Sequence, residues 1–263
     1  MGGAILAGLL KAGFAAENIS VSTRTEISAL KHRDELGVKA FALETSATAN
    51  AQAVAGADVV LIGVKPAYVT EVLREVADSL LPNALIISVA AGITNSAMEA
   101  AVPSTVAVIR SMPNTPAIVG RAVTGIARGA RANDANLQTA IDLFETVGKV
   151  MVLDESKIDA LSSISGSGPA YVFYLIEQLA AAAKHHGFTD EESALMVNET
   201  FLGAAELLVA SGKSPETLRK QVTSPNGTTE RAIARMAEAK LDLMFVEATE
   251  AAVKRAKELA AGA

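Results

Sequence analysis

Several short stretches combine small, hydroxylic and basic residues where a polypeptide backbone can hold an anion. Ile19-Ser-Val-Ser-Thr-Arg24 closes a β-branched run with Ser22, Thr23 and Arg24, two hydroxyls and a guanidinium. In dinucleotide-binding folds an acidic residue at the end of such a strand holds a ribose 2′-hydroxyl, and an acidic residue there would repel a 2′-phosphate. Ser22, Thr23 and Arg24 therefore suit NADP, the plainer alternative being a solvated loop arginine. Gly63-Val-Lys-Pro66 and Val89-Ala-Ala-Gly92 put backbone and small side chains at two later strand ends. The carboxyl edge of an open α/β sheet is where ligands bind.

The second half supplies two more loops. Ser165-Gly-Ser-Gly-Pro-Ala-Tyr171 is a turn feeding a helix that has proline at its start, and its small residues permit close approach of a flat ligand. Thr223-Ser-Pro-Asn-Gly-Thr-Thr229 has turn chemistry at Pro225-Asn226-Gly227, followed by free amides and two hydroxyls suited to a carboxylate. As structure alone, each loop is simply a capped helix.

What the chain lacks is equally informative. It has no Cys and only three His, which excludes a thiolate nucleophile, a disulfide framework and Cys-based metal sites. His32, His185 and His186 read as surface or helix-end residues, and no metal is expected. A formal charge of −6, with seven Phe, three Tyr and no Trp, opposes a nucleic-acid partner. The longest apolar runs, such as Ala84 to Ile87, fall short of the roughly 20 residues of a membrane span. Met1 to Gly13 lacks a basic leader, and Leu6 stands where a myristoylation motif needs Ser or Thr. The expectation is a cytoplasmic protein without membrane or nucleic-acid partners.

The elements that must position these loops fall into two regimes. Up to residue 154, β-branched runs at 19–23, 38–43, 58–64, 84–89, 106–110 and 123–127 alternate with helical patterns, which predicts a Rossmann-like α/β domain with a parallel sheet. Residues 155–263 read as all helix, with segments at 169–187, 190–210, 215–221, 228–239 and 241–261. The helix near 193–210 has too few polar residues for a solvated face. The helical domain is therefore predicted to cover itself with a second copy, as a homodimer.

The start of the chain, Met1-Gly-Gly-Ala-Ile-Leu-Ala7, is already helical in pattern. Gly2 occupies the place of the last glycine in a G-x-G-x-x-G turn whose strand and first two glycines are not in the sequence.

Val64-Lys-Pro66, Val89-Ala-Ala-Gly92, Arg110-Ser-Met-Pro-Asn-Thr-Pro116, Ser165-Gly-Ser-Gly-Pro-Ala-Tyr171 and the Thr223–Thr229 loop, in this order and spacing, resemble the pyrroline-5-carboxylate reductases. The likeness spans essentially the whole chain. It implies reduction of 1-pyrroline-5-carboxylate to L-proline, the last step of proline biosynthesis, by NADPH or NADH. It also implies a dimer of intertwined helical domains, often assembled further as a decamer of dimers. Carried over by position, the resemblance puts Gly2 on the dinucleotide turn, Ser22, Thr23 and Arg24 at the ribose phosphate, and Asn50 at the adenosine ribose. Val64, Lys65, Pro66, Ala90 and Ala91 line the cofactor, and Asn114 lies near the nicotinamide. Ser224, Gly227, Thr228 and Thr229 hold the substrate carboxylate, with the Thr229 hydroxyl near the ring nitrogen as the catalytic group. Glu155 falls where some members reach the substrate.

Two departures from the family carry expectations. Asn226 stands where many members have glycine, and Asn tolerates the left-handed conformation such a position needs. The family's first strand and its two glycines, about ten residues in all, precede the position of Met1, which predicts a gap in the sheet and a poorer pyrophosphate cradle. An inactive dimerising protein is the alternative function. A reductase of another imine, or a β-hydroxyacid oxidoreductase, is the alternative substrate class, although those lack the two loops of the second half.

Overall fold

The computed structural model describes residues 1–260. Seven strands form where the β-branched runs lie: β1 Ser20–Thr23, β2 Lys39–Ala42, β3 Val59–Ile62, β4 Leu85–Ser88, β5 Ala107–Met112, β6 Ala122–Arg128 and β7 Gly148–Val152. The first six match the expected strands within a few residues, and β7 is additional. Helices α1 Gly2–Lys11, α2 Glu26–Leu36, α3 Ala49–Val54, α4 Val69–Val76, α5 Asn95–Glu99, α6 Asp134–Glu145 and α7 Ile158–Leu161 alternate with them. Beyond lie α8 Gly168–His185, α9 Asp190–Ser211, α10 Pro215–Gln221, α11 Thr228–Glu238 and α12 Leu241–Ala260. The expected end of the last helix at Ala261 lies outside the described residues.

The strands pair as two separate pieces, a β1-β2 ribbon and a five-stranded sheet in the order β3-β4-β5-β6-β7. The predicted gap is thus present between β1 and β3 among the described residues. All pairings are parallel except β5 with β6. The connection of residues 113–121 explains that exception, being shorter than the dozen or so residues that a parallel crossover takes.

Successive residues of β4 face opposite sides of the sheet, and both sides are buried. Ile86 joins Val69, Leu73 and Val76 of α4 and Met98 of α5 in one core. Leu85 and Ile87 join Ile5 of α1 and Ala140 and Phe144 of α6 in the other. These helices therefore fix where each strand ends, and with it the loops at the sheet's carboxyl edge. A smaller cluster of Ala29, Ala40 and Ala42 seats α2 on the β1-β2 ribbon. Thr25 caps that helix by accepting from the Ser28 amide, and Gly37 ends it in the left-handed region at φ 67°.

The chain parts into two compact units, Met1–Ser167 with the stretch from Ala252, and Gly168–Ala251. In the second unit α8 packs against α9. Thr189 and Glu192 form a reciprocal capping box that starts α9. Just ahead of it Lys184 Nζ lies 2.7 Å from Asp190. That hydrogen bond, followed by the ammonium charge, holds the Asp190 carboxyl below the usual aspartate range.

Along α9 only one large apolar residue is covered. Val197 is buried, while Leu195, Leu202, Leu207 and Val209 stand 53–74% exposed. The helix is also long and apolar enough to cross a bilayer by length and composition alone, which sequence reading did not expect of any segment. The apolar length read from the sequence is therefore real, and one chain does not cover it.

Candidate functional site

The N-terminus of α1 lies beside the end of β3, where a Cβ placed on Gly63 would come 4.0 Å from the Gly2 Cα. A Cβ on Gly2 would itself meet nothing within 4 Å. The Gly2 and Gly3 amides that open α1 make no hydrogen bond among the described residues, and a helix N-terminus with free amides attracts phosphate. Val64, Lys65 and Pro66 follow directly after β3 and are all exposed, with Pro66 opening a short helical turn. After β4, Ala90 is buried and donates its amide to Ser88 Oγ at 3.2 Å, while Ala91 is exposed and Gly92 turns the chain at φ 76°.

At the end of β1 the three residues singled out differ in what they offer. Ser22 Oγ donates to Asn50 Oδ1 at 2.7 Å, which brings two of the sequence-derived positions together. Asn50 Nδ2 in turn donates to Glu75 Oε2 at 3.0 Å. Thr23 Oγ1 donates to the Thr25 carbonyl at 2.9 Å. Arg24 is exposed, and its guanidinium makes no hydrogen bond or ion pair among the described residues.

Asn114 is 8% exposed, and its amide ties two motifs together. Its Oδ1 accepts from the Val123 amide and its Nδ2 donates to the Ser165 carbonyl, both at 2.9 Å. Ser165 lies in a π-helical turn, Ser162–Gly166, that leads into α8. The Asn114 side chain is therefore spent on clamping the Ser162–Gly166 turn to β6.

Glu155 is engaged in an ionic cluster. Its Oε1 accepts from the Asn95 amide at 2.7 Å and lies 3.6 Å from Arg110 Nη1. Arg110 Nη2 meets Asp159 at 2.5 Å. The Arg110 side chain is 4% exposed, whereas those of Glu155 and Asp159 keep 32% and 24%. Sequence reading placed Arg110 in a motif without giving it a part. The signal was a charge inside a buried strand, which must find a partner. Glu75 was missed altogether, because nothing in its own helix distinguishes it from other solvated residues.

In the second unit the Thr223–Thr229 loop leads into α11, whose N-cap is Gly227. The Gly227 amide donates to the Ser224 carbonyl at 3.0 Å, and a Cβ on Gly227 would lie 3.0 Å from that oxygen. Asn226 adopts φ 58°, the left-handed conformation expected of it, and its amide donates to Glu230 Oε2 at 2.8 Å. The hydroxyls of Ser224, Thr228 and Thr229 make no hydrogen bond among the described residues. With a glycine cap and no side-chain acceptor, the first amides of α11 remain open to an anion.

A parallel sheet with phosphate-binding features at its carboxyl edge, followed by a helical unit with an open anion loop, defines a nicotinamide-dinucleotide oxidoreductase. Residues 1–92 match the family described as NADP oxidoreductase, coenzyme F420-dependent, and residues 155–259 match pyrroline-5-carboxylate reductase dimerisation. The pyrroline-5-carboxylate reductase of Corynebacterium melassecola is 36% identical over 98% of this chain and 95% of its own length. A solved pyrroline-5-carboxylate reductase from Coxiella burnetii is 34% identical, with a TM-score of 0.91 over 98% of this chain and 94% of that one. The Plasmodium falciparum pyrroline carboxylate reductase with NADP bound is 25% identical, with a TM-score of 0.84 over 99% and 94%. The chain belongs to the pyrroline-5-carboxylate reductase family.

Proposed function

We propose that this chain reduces the C=N bond of 1-pyrroline-5-carboxylate to give L-proline, at the expense of NAD(P)H. The observation that carries the reading is the match, over nearly the whole length of both chains, to reductases named for that substrate. It favours the enzyme over the inactive dimerising protein. The dinucleotide supplies a hydride when bound. Its donor set fits this chain: the open amides of α1 from Gly2 suit a pyrophosphate, and the unpaired Arg24 suits a 2′-phosphate.

The residues' parts are those that the resemblance to the reductases implies. Val64, Lys65, Pro66, Ala90 and Ala91 wall the cofactor, Ser22, Thr23 and Asn50 border its adenosine ribose, and the backbone at Asn114 borders the nicotinamide. Ser224, Gly227, Thr228 and the first amides of α11 hold the substrate carboxylate. The Thr229 hydroxyl bonds the ring nitrogen, which carries a proton in the reactive form. A protonated imine carbon accepts hydride without a nucleophile or metal, so catalysis rests on holding two rings in register with charges compensated. Glu155 falls where some members of the family reach the substrate, and its carboxylate here already serves Asn95 and Arg110.

A chain divided functionally into residues 1–154 and 155–263 works as a homodimer, consistent with the dimerisation family matched by its second part. Assembly into a decamer of dimers, residence in the cytoplasm and independence from membranes complete the proposal. The test is Thr229→Ala. A hydrogen bond to a charged group is worth about 1.5–3 kcal/mol, so kcat with NADPH and pyrroline-5-carboxylate should fall roughly 10- to 100-fold. Unchanged kcat and KM would remove Thr229 from the mechanism.

A further inference from the structure

The hydrogen bonds around β1 have a fixed polarity that can be worked out from the groups themselves. A carboxylate only accepts, so Glu75 obliges Asn50 to turn its amino group toward it. The Asn50 carbonyl oxygen then faces Ser22, and Ser22 has to give its proton inward. Thr23 gives its proton to the Thr25 carbonyl. Both hydroxyls at the end of β1 therefore offer only lone pairs to a ligand. A ribose 2′-hydroxyl can donate to those lone pairs. A 2′-phosphate, whose oxygens are acceptors and which carries about two negative charges, cannot do so without breaking the Ser22–Asn50 bond. Among the side chains of the three residues, the guanidinium of Arg24 is the uncommitted donor.

We propose that Glu75 is a specificity-determining positioning residue. By setting the polarity of the Asn50–Ser22 relay it favours the 2′-hydroxyl of NADH, in opposition to Arg24, and so keeps the site open to both dinucleotides. The inference rests on the reading of Ser22, Arg24 and Asn50 as the adenosine-ribose site. Glu75 has no contact with the cofactor in this scheme and acts only through Asn50.

Glu75→Gln tests it, because a glutamine amide can present either end and lets Asn50 turn over, releasing the Ser22 proton. In the full chain, with dissociation constants measured by nicotinamide fluorescence at one ionic strength, NADPH binding should tighten about tenfold while NADH changes less than about twofold. In an Asn50→Ala background the same substitution should have no effect on the ratio, since the relay is cut. An unchanged ratio for Glu75→Gln would overturn the proposal. So would a gain that persists with Asn50→Ala, because loss of a negative charge would then explain it. Arg24→Ala separates the two layers. Weakening for NADPH alone supports the ribose reading, whereas no change with either dinucleotide overturns that reading and the relay with it.

Discussion

Replacing Arg110 with methionine should destabilise the protein by about 3 kcal/mol, a figure set by what remains behind. The side chain is 4% exposed and joins Asp159 at 2.5 Å and Glu155 at 3.6 Å. Removing one partner of a buried ion pair typically costs about 3–5 kcal/mol, because the other charge stays desolvated. Here Glu155 and Asp159 keep 32% and 24% exposure and regain some water, which puts the loss at the lower end. Methionine approximately preserves the volume, so no large cavity adds to it. For a chain of this size about 3 kcal/mol lowers Tm by roughly 6–12 °C. Circular dichroism melts would read the shift, and adding Glu155→Gln and Asp159→Asn should restore at least half of it. A loss below about 1 kcal/mol would refute the idea that Arg110 holds the segment before α8 to the sheet. No recovery in the triple variant would refute the assignment of the loss to unpaired carboxylates.

Two further expectations concern packing and charge. A Cβ on Gly148 would press on the backbone oxygen and nitrogen of Ala122. Gly148→Ala should thus cost about 2–3 kcal/mol by separating β6 from β7, and an unaltered Tm would count against the register given for that pair. Lys184→Met should let the Asp190 carboxyl titrate higher, toward an ordinary aspartate, in a carbon-detected NMR titration. Because folding depresses that pKa, the stabilisation is complete above the unfolded value and disappears as pH falls through the folded one. The variant should accordingly lose stability at neutral pH but not in strong acid, and an unmoved Asp190 titration would remove Lys184 as the cause.

Strands buried on both faces, such as Leu85–Ser88, are legible because a continuous apolar run leaves little choice, whereas the partly exposed β1 and β2 are legible from short β-branched or apolar runs set between helical patterns. β7 is an edge strand with Lys149, Met151 and Val152 exposed, and its apolar run Val150-Met-Val-Leu153 is too short to be told from a helical segment by periodicity. The antiparallel turn of β6 was available from the short connection before it. At the candidate site, positions carried by loop motifs were legible, and so was the left-handed conformation of Asn226. The commitments of those side chains were not. That Ser22 spends its proton on Asn50, that Thr23 spends its own on Thr25, and that Glu155 serves the Asn95 amide are facts of three-dimensional neighbourhood. Residue types and spacing fix which groups are available, and only the fold fixes which way each hydrogen bond runs.

The uncovered leucines of α9 tie this protein's survival to its abundance. Apolar area left open in one chain and closed only by another turns part of the folding free energy into a mass-action term. The melting temperature should climb with protein concentration, and a sparsely expressed chain would meet proteases in a less protected form than an abundant one.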